Sequence, residues 1–326
     1  MSPISYQILQ TLAGGGFYSG QALGNQLGLT RAAVWKHIQQ LQNFGVEINS
    51  IRGKGYRLPE PLELLDSSQI RAGLAEHVES SISRFDCFAQ VGSTNSHLTE
   101  WALKNPGAKA AICLAESQSA GRGRRGKKWF SPFARNIYLS CAWRFDQGLS
   151  ALSGLSLAVG VLIADLIEQR WSKKIHLKWP NDLLYENKKL GGVLIELSGD
   201  FSGDCFVVVG IGLNYAMPSA QIKNIDQPVC DLSSMGIQVS RNLLVIELIN
   251  RLIDLFEKYT SQGFEHYKDS WLARAAFLNE AVKLSLGEKE IFGTFCSVDS
   301  QGSLVLDVGG EKRMFSGGEM SLRSIS

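Results

Sequence analysis

Apolar positions change their spacing three times along the chain, and the changes divide it. Between Ser19 and Gly45 the sequence SGQALGNQLGLTRAAVWKHIQQLQNFG places Leu23, Leu27, Val34, Ile38 and Leu41 on the apolar faces of two short helical periods, with Gly28, Leu29 and Thr30 between them. A tight turn between helices asks for a conformation that glycine adopts cheaply, and a threonine just ahead of a helix accepts one of its free amides. The pattern predicts a helix-turn-helix. Val46 to Leu58 then reads as a β-hairpin with Arg52-Gly53-Lys54-Gly55 at its tip, which makes the module a winged helix. LPEP, Leu58 to Pro61, closes it, because two prolines deny the donors and helical conformations that a continuing element needs.

From Leu62 to about Arg274, strand-like runs at Ala110 to Leu114, Ile137 to Trp143, Gly192 to Leu197 and Phe206 to Ile211 alternate with helical periods at Leu155 to Arg170 and Leu243 to Thr260. Alternating strands and helices predict an α/β domain around a mixed sheet. Beyond Ala281, short alternating strands are punctuated by LGEKE, DSQG, VGGE and SGGE, turn signals at roughly ten-residue spacing. A small all-β barrel of about five strands fits that tail. The expected division is residues 1–62, 63–276 and 277–326, an α/β (α+β) multidomain chain.

Composition changes this picture in two places. With 326 residues at 44% hydrophobic content, the chain has enough apolar surface for two or three cores, which excludes an intrinsically disordered protein. The net charge of +2 names no partner for the whole chain, yet up to Leu58 the cations Arg31, Lys36, Arg52, Lys54 and Arg57 face Glu47 alone. Opposite the Val34, Ile38 and Leu41 face, the second helix presents Arg31, Ala32, Trp35, Lys36 and Gln39 after Thr30, small, cationic and amide side chains suited to a major groove. Arg52 and Lys54 on the wing are placed for phosphates. The alternatives are a small helical domain whose charges face solvent and a module for protein contacts.

The six cysteines include no CxxC pair, and the five histidines form no HExxH or HxH spacing, so a zinc site or disulfide framework is not expected. The first cation is Arg31, and the most apolar run, Leu155 to Ile167, is short and broken by Asp165. The expectation is a soluble, reduced, cytoplasmic chain without a membrane partner.

The densest chemistry lies in Gln118 to Trp129, QSAGRGRRGKKW, where Arg122, Arg124, Arg125, Lys127 and Lys128 interleave with Gly121, Gly123 and Gly126 without an acid. Glycines let backbone amides approach an anion, and arginines offer two-pronged donors to phosphate oxygens, so this reads as a phosphate-binding loop. A nucleic-acid-binding RG segment is the other reading, but such segments sit in disordered tracts, whereas strands bracket this one. GxxxxGK[ST] is absent, which excludes a P-loop, and Gly210-Ile211-Gly212 lacks the third glycine of a dinucleotide fingerprint. KWPND (Lys178 to Asp182) and KKLGG (Lys188 to Gly192) put a carboxylate, an amide and cations on expected loops at strand ends. Gly92-Ser93-Thr94-Asn95 precedes a helical period, where a plain helix cap is the competing explanation.

Together GSTN (Gly92 to Asn95), GRGRRGKKW (Gly121 to Trp129), KWPND, KKLGG and GIGLN (Gly210 to Asn214) resemble the biotin protein ligase family. With the winged helix before them and the β tail after them, the resemblance covers nearly the whole chain and points to the members that join a ligase to a biotin operon repressor. It implies a central mixed sheet resembling class II aminoacyl-tRNA synthetase folds and an SH3-like barrel at the end. It also implies that Ser93, Thr94, Asn95 and Gln118 bind the ureido ring of biotin, while Arg122, Gly123 and Arg124 close over biotin and the adenylate phosphate. Lys189 matches the lysine beside the biotin carboxylate and α-phosphate, and Asn181, Asp182, Gly192 and Asn214 match residues around the nucleotide. Trp129 and Lys178 belong to the same motifs and join the expected ligand set, and Arg323 resembles a barrel position near the nucleotide. Lys127 stands where many members have arginine.

The implied substrates are biotin and ATP with Mg²⁺. The implied catalytic groups are Lys189, Arg122 and Arg124, with Asp182 to orient or deprotonate the acceptor amine. The implied partners are the biotin carboxyl carrier protein of acetyl-CoA carboxylase, a biotin-operator duplex, and a second copy of the chain once adenylate is bound. A monofunctional ligase with a vestigial amino terminus and a lipoate or octanoyl ligase are the enzyme alternatives. A transcription factor with a degenerate ligand domain would need the phosphate loop or Lys189 broken, and neither is.

Overall fold

The structure, a computed structural model, describes residues 1–145, 152–199, 205–218, 222–223, 225–287, 289–316 and 320–325. Three helices open the chain, α1 (Pro3–Ala13), α2 (Gly20–Leu27) and α3 (Arg31–Asn43). Each begins on a hydroxyl cap, Ser2, Ser19 and Thr30 accepting from the amides of Ser5, Ala22 and Ala33. Gly28 ends α2 at φ 68°, the left-handed conformation that a side chain resists, so the predicted turn residue does what the turn requires. Ile8, Leu9, Leu12, Leu23, Val34, Ile38 and Leu41 meet in one buried cluster.

The wing is β1 (Asn49–Ile51) with β2 (Gly55–Arg57), paired from Asn49↔Arg57 to Ile51↔Gly55, so its tip is Arg52-Gly53-Lys54. It is shorter than the sequence pattern predicts, because Val46 and Ile48 are buried in the core beneath instead of pairing. Tyr18 adds a rung, exchanging backbone bonds of 2.9 and 2.8 Å with Tyr56, which ties the wing to the loop after α1.

The central sheet has seven strands in the order β3-β4-β5-β9-β8-β7-β6. They are β3 (Ile82–Phe88), β4 (Ala110–Ala115), β5 (Asn136–Phe145), β6 (His176–Lys178), β7 (Asp182–Tyr185), β8 (Lys188–Gly199) and β9 (Cys205–Asn214). Among the described residues β3 and β4 are the one parallel pair of neighbouring strands, which is the mixed sheet expected. Helices cover both faces. Alternate residues Ala110, Ile112 and Leu114 of β4 enter the main core with α7 (Leu155–Trp171) and α8 (Arg241–Gln262), while Ala111 and Cys113 pack with Leu98 and Ala102 of α6 (Thr94–Lys104). That is why β4 reads as an unbroken apolar run. The short α4 (Ser67–Ala72), α5 (Glu76–Ser81) and α9 (Glu265–Leu272) complete this part. Among the described residues no helix is long and apolar enough to cross a membrane.

The tail forms five antiparallel strands in the order β13-β12-β11-β10-β14: β10 (Ala281–Leu286), β11 (Lys289–Val298), β12 (Leu304–Val308), β13 (Glu311–Phe315) and β14 (Met320–Ser324). The DSQG and VGGE turns fall between strands as expected; of SGGE, residues 316–319, the last three lie outside the described residues. The five strands form one continuous antiparallel ladder among the described residues, with β13 and β14 at its two ends. Its Val282, Leu284, Phe295, Leu304, Leu306 and Leu322 continue the main core, and Trp179 Nε1 donates to the Gly302 carbonyl at 3.0 Å.

Two joints hold the amino-terminal module. Phe133 and Ala134, from the segment that leads into β5, are buried within the cluster formed by α1, α2 and α3. The connecting segment is clamped by a buried ion pair, Arg241 Nη1 to Glu116 Oε2 at 2.9 Å with side chains 0% and 1% exposed. Around it Glu116 accepts from the Leu65 amide, Asn242 donates to Glu63 and to the Leu64 carbonyl, and Arg241 Nη2 donates to the Asn136 carbonyl. A buried charge is tolerable only when paired and hydrogen-bonded in this way.

Candidate active site

Alternation along β9 sets the floor of the site. Phe206, Val208, Gly210 and Gly212 share one face; the first two lie under α6, and the last two are packed closely by Asn95, in the first turn of that helix, and by Trp129. Side chains there are excluded by close neighbours: a Cβ on Gly210 would stand 2.2 Å from Asn95 Oδ1, and one on Gly212 would stand 2.6 Å from the Trp129 ring. The glycines of GIGLN therefore serve close packing beneath a cavity rather than a dinucleotide turn.

That cavity holds about 450 Å³, within the range of small-molecule sites. Ser93, Thr94 and Asn95 enter it from the start of α6, where Ser93 also caps the helix through the Ser96 amide. Ser93 thus both caps the helix and lines the cavity. Gln118, Arg122, Gly123, Arg124 and Trp129 line it from the glycine-rich loop, Lys178, Asn181 and Asp182 from KWPND, Lys189 and Gly192 from KKLGG, and Arg323 from β14. Asn214 is the one expected ligand residue outside the lining. Its amide donates to the backbone carbonyls of Lys189 and Cys230 at 3.2 and 3.0 Å, so it braces the strand that carries Lys189.

KKLGG is not a loop before a strand, as expected, but the first residues of β8. Glu186 and Asn187 both take positive φ, 48° and 60°, which turns β7 tightly into β8 and starts pairing at Tyr185↔Lys188. Asp182 and Lys189 thus sit on adjacent strands, their side chains 2.6 Å apart. The glycine-rich loop is itself a small hairpin: Gly123 N donates to the Lys127 carbonyl at 2.7 Å and Trp129 N to the Gly121 carbonyl at 2.9 Å. Trp129 lies beside Gly212, with Lys189 Nζ 5.4 Å from its ring centre.

Cations crowd the cavity. Burial pushes the pKa of the Arg124 guanidinium down, with Asp182 opposing and Arg125 adding to the fall. Burial also lowers that of the Lys178 amine against the pull of Asp182, and Lys189, Arg323 and Lys127 lower it further. Such a surface favours an anion that neutralises it.

Several contributors escape the sequence motifs. Glu196 shares the Gly192 and Leu194 face of β8, pairs with Arg122 at 2.8 Å and accepts from Asn95 Nδ2 at 2.9 Å. Its signal was a lone acid inside an apolar strand run, on the cavity side by alternation. Ser140 on β5 donates to Thr94 and Asn95 at 2.7 and 2.6 Å. Asp226, Gln227 and Pro228 also line the cavity, and nothing in their local pattern marks them.

The family described as Biotin/lipoate A/B protein ligase matches residues 87–214, with an HTH domain at 5–57 and a Biotin protein ligase C terminal domain at 277–323. The bifunctional ligase/repressor BirA of Escherichia coli (strain K12) is 41% identical over 98% of this chain and 98% of its own, and that of Salmonella typhimurium (strain LT2) is 40% identical over 97% of each. The chain belongs to the bifunctional ligase/repressor branch of the biotin protein ligases. A solved biotin protein ligase from Aquifex aeolicus in complex with biotin and ATP shares its fold at a TM-score of 0.63 and 27% identity, over 74% of this chain and 100% of that one.

On the winged-helix face of this family member, Arg31, Ala32, Trp35, Lys36, Gln39, Arg52 and Lys54 are all exposed. Thr30 is exposed too, with its hydroxyl committed to the helix cap. Phe17 lies under Arg57 and Lys54, its ring centre 4.8 Å from the Arg57 guanidinium and 5.7 Å from Lys54 Nζ, which gathers the wing's cations.

Proposed function

We propose that this chain activates biotin with ATP to biotinyl-5'-adenylate, transfers the biotinyl group to a lysine of a biotin carboxyl carrier protein, and represses biotin genes when adenylate-bound. The observation that carries this reading is the single cavity in which the loop cations and Lys189 face the Gly210 and Gly212 floor, joined to a basic winged helix.

In the first step a biotin carboxylate oxygen bonds to the α-phosphorus of ATP, and the bond to pyrophosphate breaks. Two anions must approach each other. Arg122, Arg124 and Lys189 offset that repulsion and stabilise the charge that grows on the phosphoryl oxygens. In the second step the neutral acceptor amine attacks the biotinyl carbonyl and AMP leaves; Asp182 orients that amine or takes its proton.

Asp182 and Asp226 are the carboxylates lining the cavity among the described residues. Mg²⁺ takes one or two carboxylates and leaves its other positions to water and phosphate oxygens, so this donor set fits a cation that arrives on a triphosphate. It would supply charge neutralisation there. The side chains His77, Asp254 and Glu257, close enough together to hold a metal, do not line the cavity.

For repression, we take residues 1–62 as the DNA-binding domain, 63–276 as the ligase domain and 277–326 as the terminal domain. Adenylate-loaded copies pair, and their two recognition helices match a palindromic operator. The test incubates the protein with radiolabelled biotin, ATP and Mg²⁺, isolates the complex, and offers portions to a carrier domain and to an operator duplex. Bound adenylate that transfers and promotes duplex retention is the expected result. Transfer without retention removes the repressor half, and no adenylate removes the ligase half.

A further inference from the structure

The outward face of α3 carries one large side chain that is mostly apolar. Trp35 is 53% exposed, one turn beyond the start of the helix at Arg31. Val34, Ile38 and Leu41 are buried, which commits the indole to the outer face, and Ala32, three residues earlier, leaves space beside it. Arg31 and Lys36 on the same helix are exposed cations, and Arg52 and Lys54 on the wing add two more to the module, so it complements a polyanion rather than an apolar protein surface. Gln39, which could read a base through its amide, has its Nε2 donating to Gln42 at 2.9 Å.

We propose that Trp35 reads the 5-methyl group of a thymine at one fixed step of each operator half-site; the inference rests on the DNA-binding reading above. An indole has one donor and no acceptor, so it cannot supply the two-pronged pattern by which arginine, asparagine or glutamine identifies a base pair. What it offers is a broad flat apolar surface. The apolar group displayed in the major groove is the thymine methyl, and sheltering one methyl from water is worth about a three- to five-fold change in affinity.

The experiment selects a preferred duplex from random sequences in the presence of biotin, ATP and Mg²⁺, then replaces each thymine singly with deoxyuridine and measures Kd by fluorescence anisotropy. The expected result is one thymine per half-site whose methyl is worth about three- to five-fold to the parent chain. That penalty vanishes in Trp35→Ala and returns in part in Trp35→Phe. The proposal is overturned if the penalty persists in Trp35→Ala. It is equally overturned if Trp35→Ala weakens selected and unrelated duplexes alike, which assigns the indole to the sugar-phosphate backbone. Should the parent chain prefer no sequence over random duplex, the DNA-binding reading itself fails, an outcome distinct from either.

Discussion

Lys189 Nζ lies 2.6 Å from Asp182 Oδ1, and the two side chains are only 17% and 18% exposed. The ammonium is thus paired within the chain, and on the proposed mechanism an incoming carboxylate and phosphate share it with Asp182. Its stabilising role grows as charge builds on the phosphoryl oxygens, so Lys189→Ala slows single-turnover adenylate formation by about 100-fold or more while biotin binding weakens much less. Normal adenylation in that variant, by rapid quench, would remove Lys189 from the chemistry.

Glu196 holds two cavity residues, Arg122 and the Asn95 amide. Glu196→Ala frees both, and the biotin KM rises about tenfold while kcat changes little, on the scale of a hydrogen bond to a charged group. Glu196→Gln, which keeps an acceptor for Asn95, recovers part of the loss. Arg122→Ala releases bound adenylate faster, read by a chase with unlabelled ligand; equal dissociation rates would contradict the assignment.

The glycine floor allows no added methyl. Gly210→Ala forces Asn95 away from its bonds with Ser140 and Glu196, because the new carbon would collide with Asn95 Oδ1. Biotin binding by calorimetry is expected to fall by at least an order of magnitude with little change in melting temperature. A large loss of stability with binding retained would show instead that the floor is purely architectural.

Breaking the clamp on the connecting segment is costly in a different way. Arg241→Ala leaves Glu116 buried without its cation, a loss of about 3–5 kcal/mol by denaturant titration. The same clamp gives acid sensitivity. Burial would raise the Glu63 carboxyl, but hydrogen bonds from Ser240, the Arg241 amide and Asn242 outweigh it and hold its pKa below the ordinary 4.5. A depressed folded value means the contribution is complete above pH 4.5 and is lost as pH falls from there toward the folded value. Glu63→Gln is expected to flatten the stability profile in that acid window and leave its shape near neutrality unchanged.

Residues whose role is local were legible in the sequence. Gly28, Thr30 and the Val34, Ile38 and Leu41 face needed only helix geometry, and the cations of the glycine-rich loop announced themselves by type and spacing. Asn214 could be matched to a motif but not to its task, because bracing the Lys189 backbone depends on strands far apart in the chain. KKLGG reads as a loop because the apolar run begins only after it, whereas the positive-φ pair Glu186 and Asn187 starts the strand earlier. Glu116 and Arg241 are separated by 125 residues, and no periodicity relates them. Val46 and Ile48 show the converse failure, alternation spent on the core instead of on pairing.

Phe133 and Ala134 complete a buried core whose other fully buried members come from residues 8–58. The winged module is therefore not portable. A fragment ending near residue 62 would carry its helices, its wing and its cations intact, yet would open a hole where Phe133 and Ala134 had closed it, and grafting such a fragment onto another protein would transplant a reader missing part of its own wall.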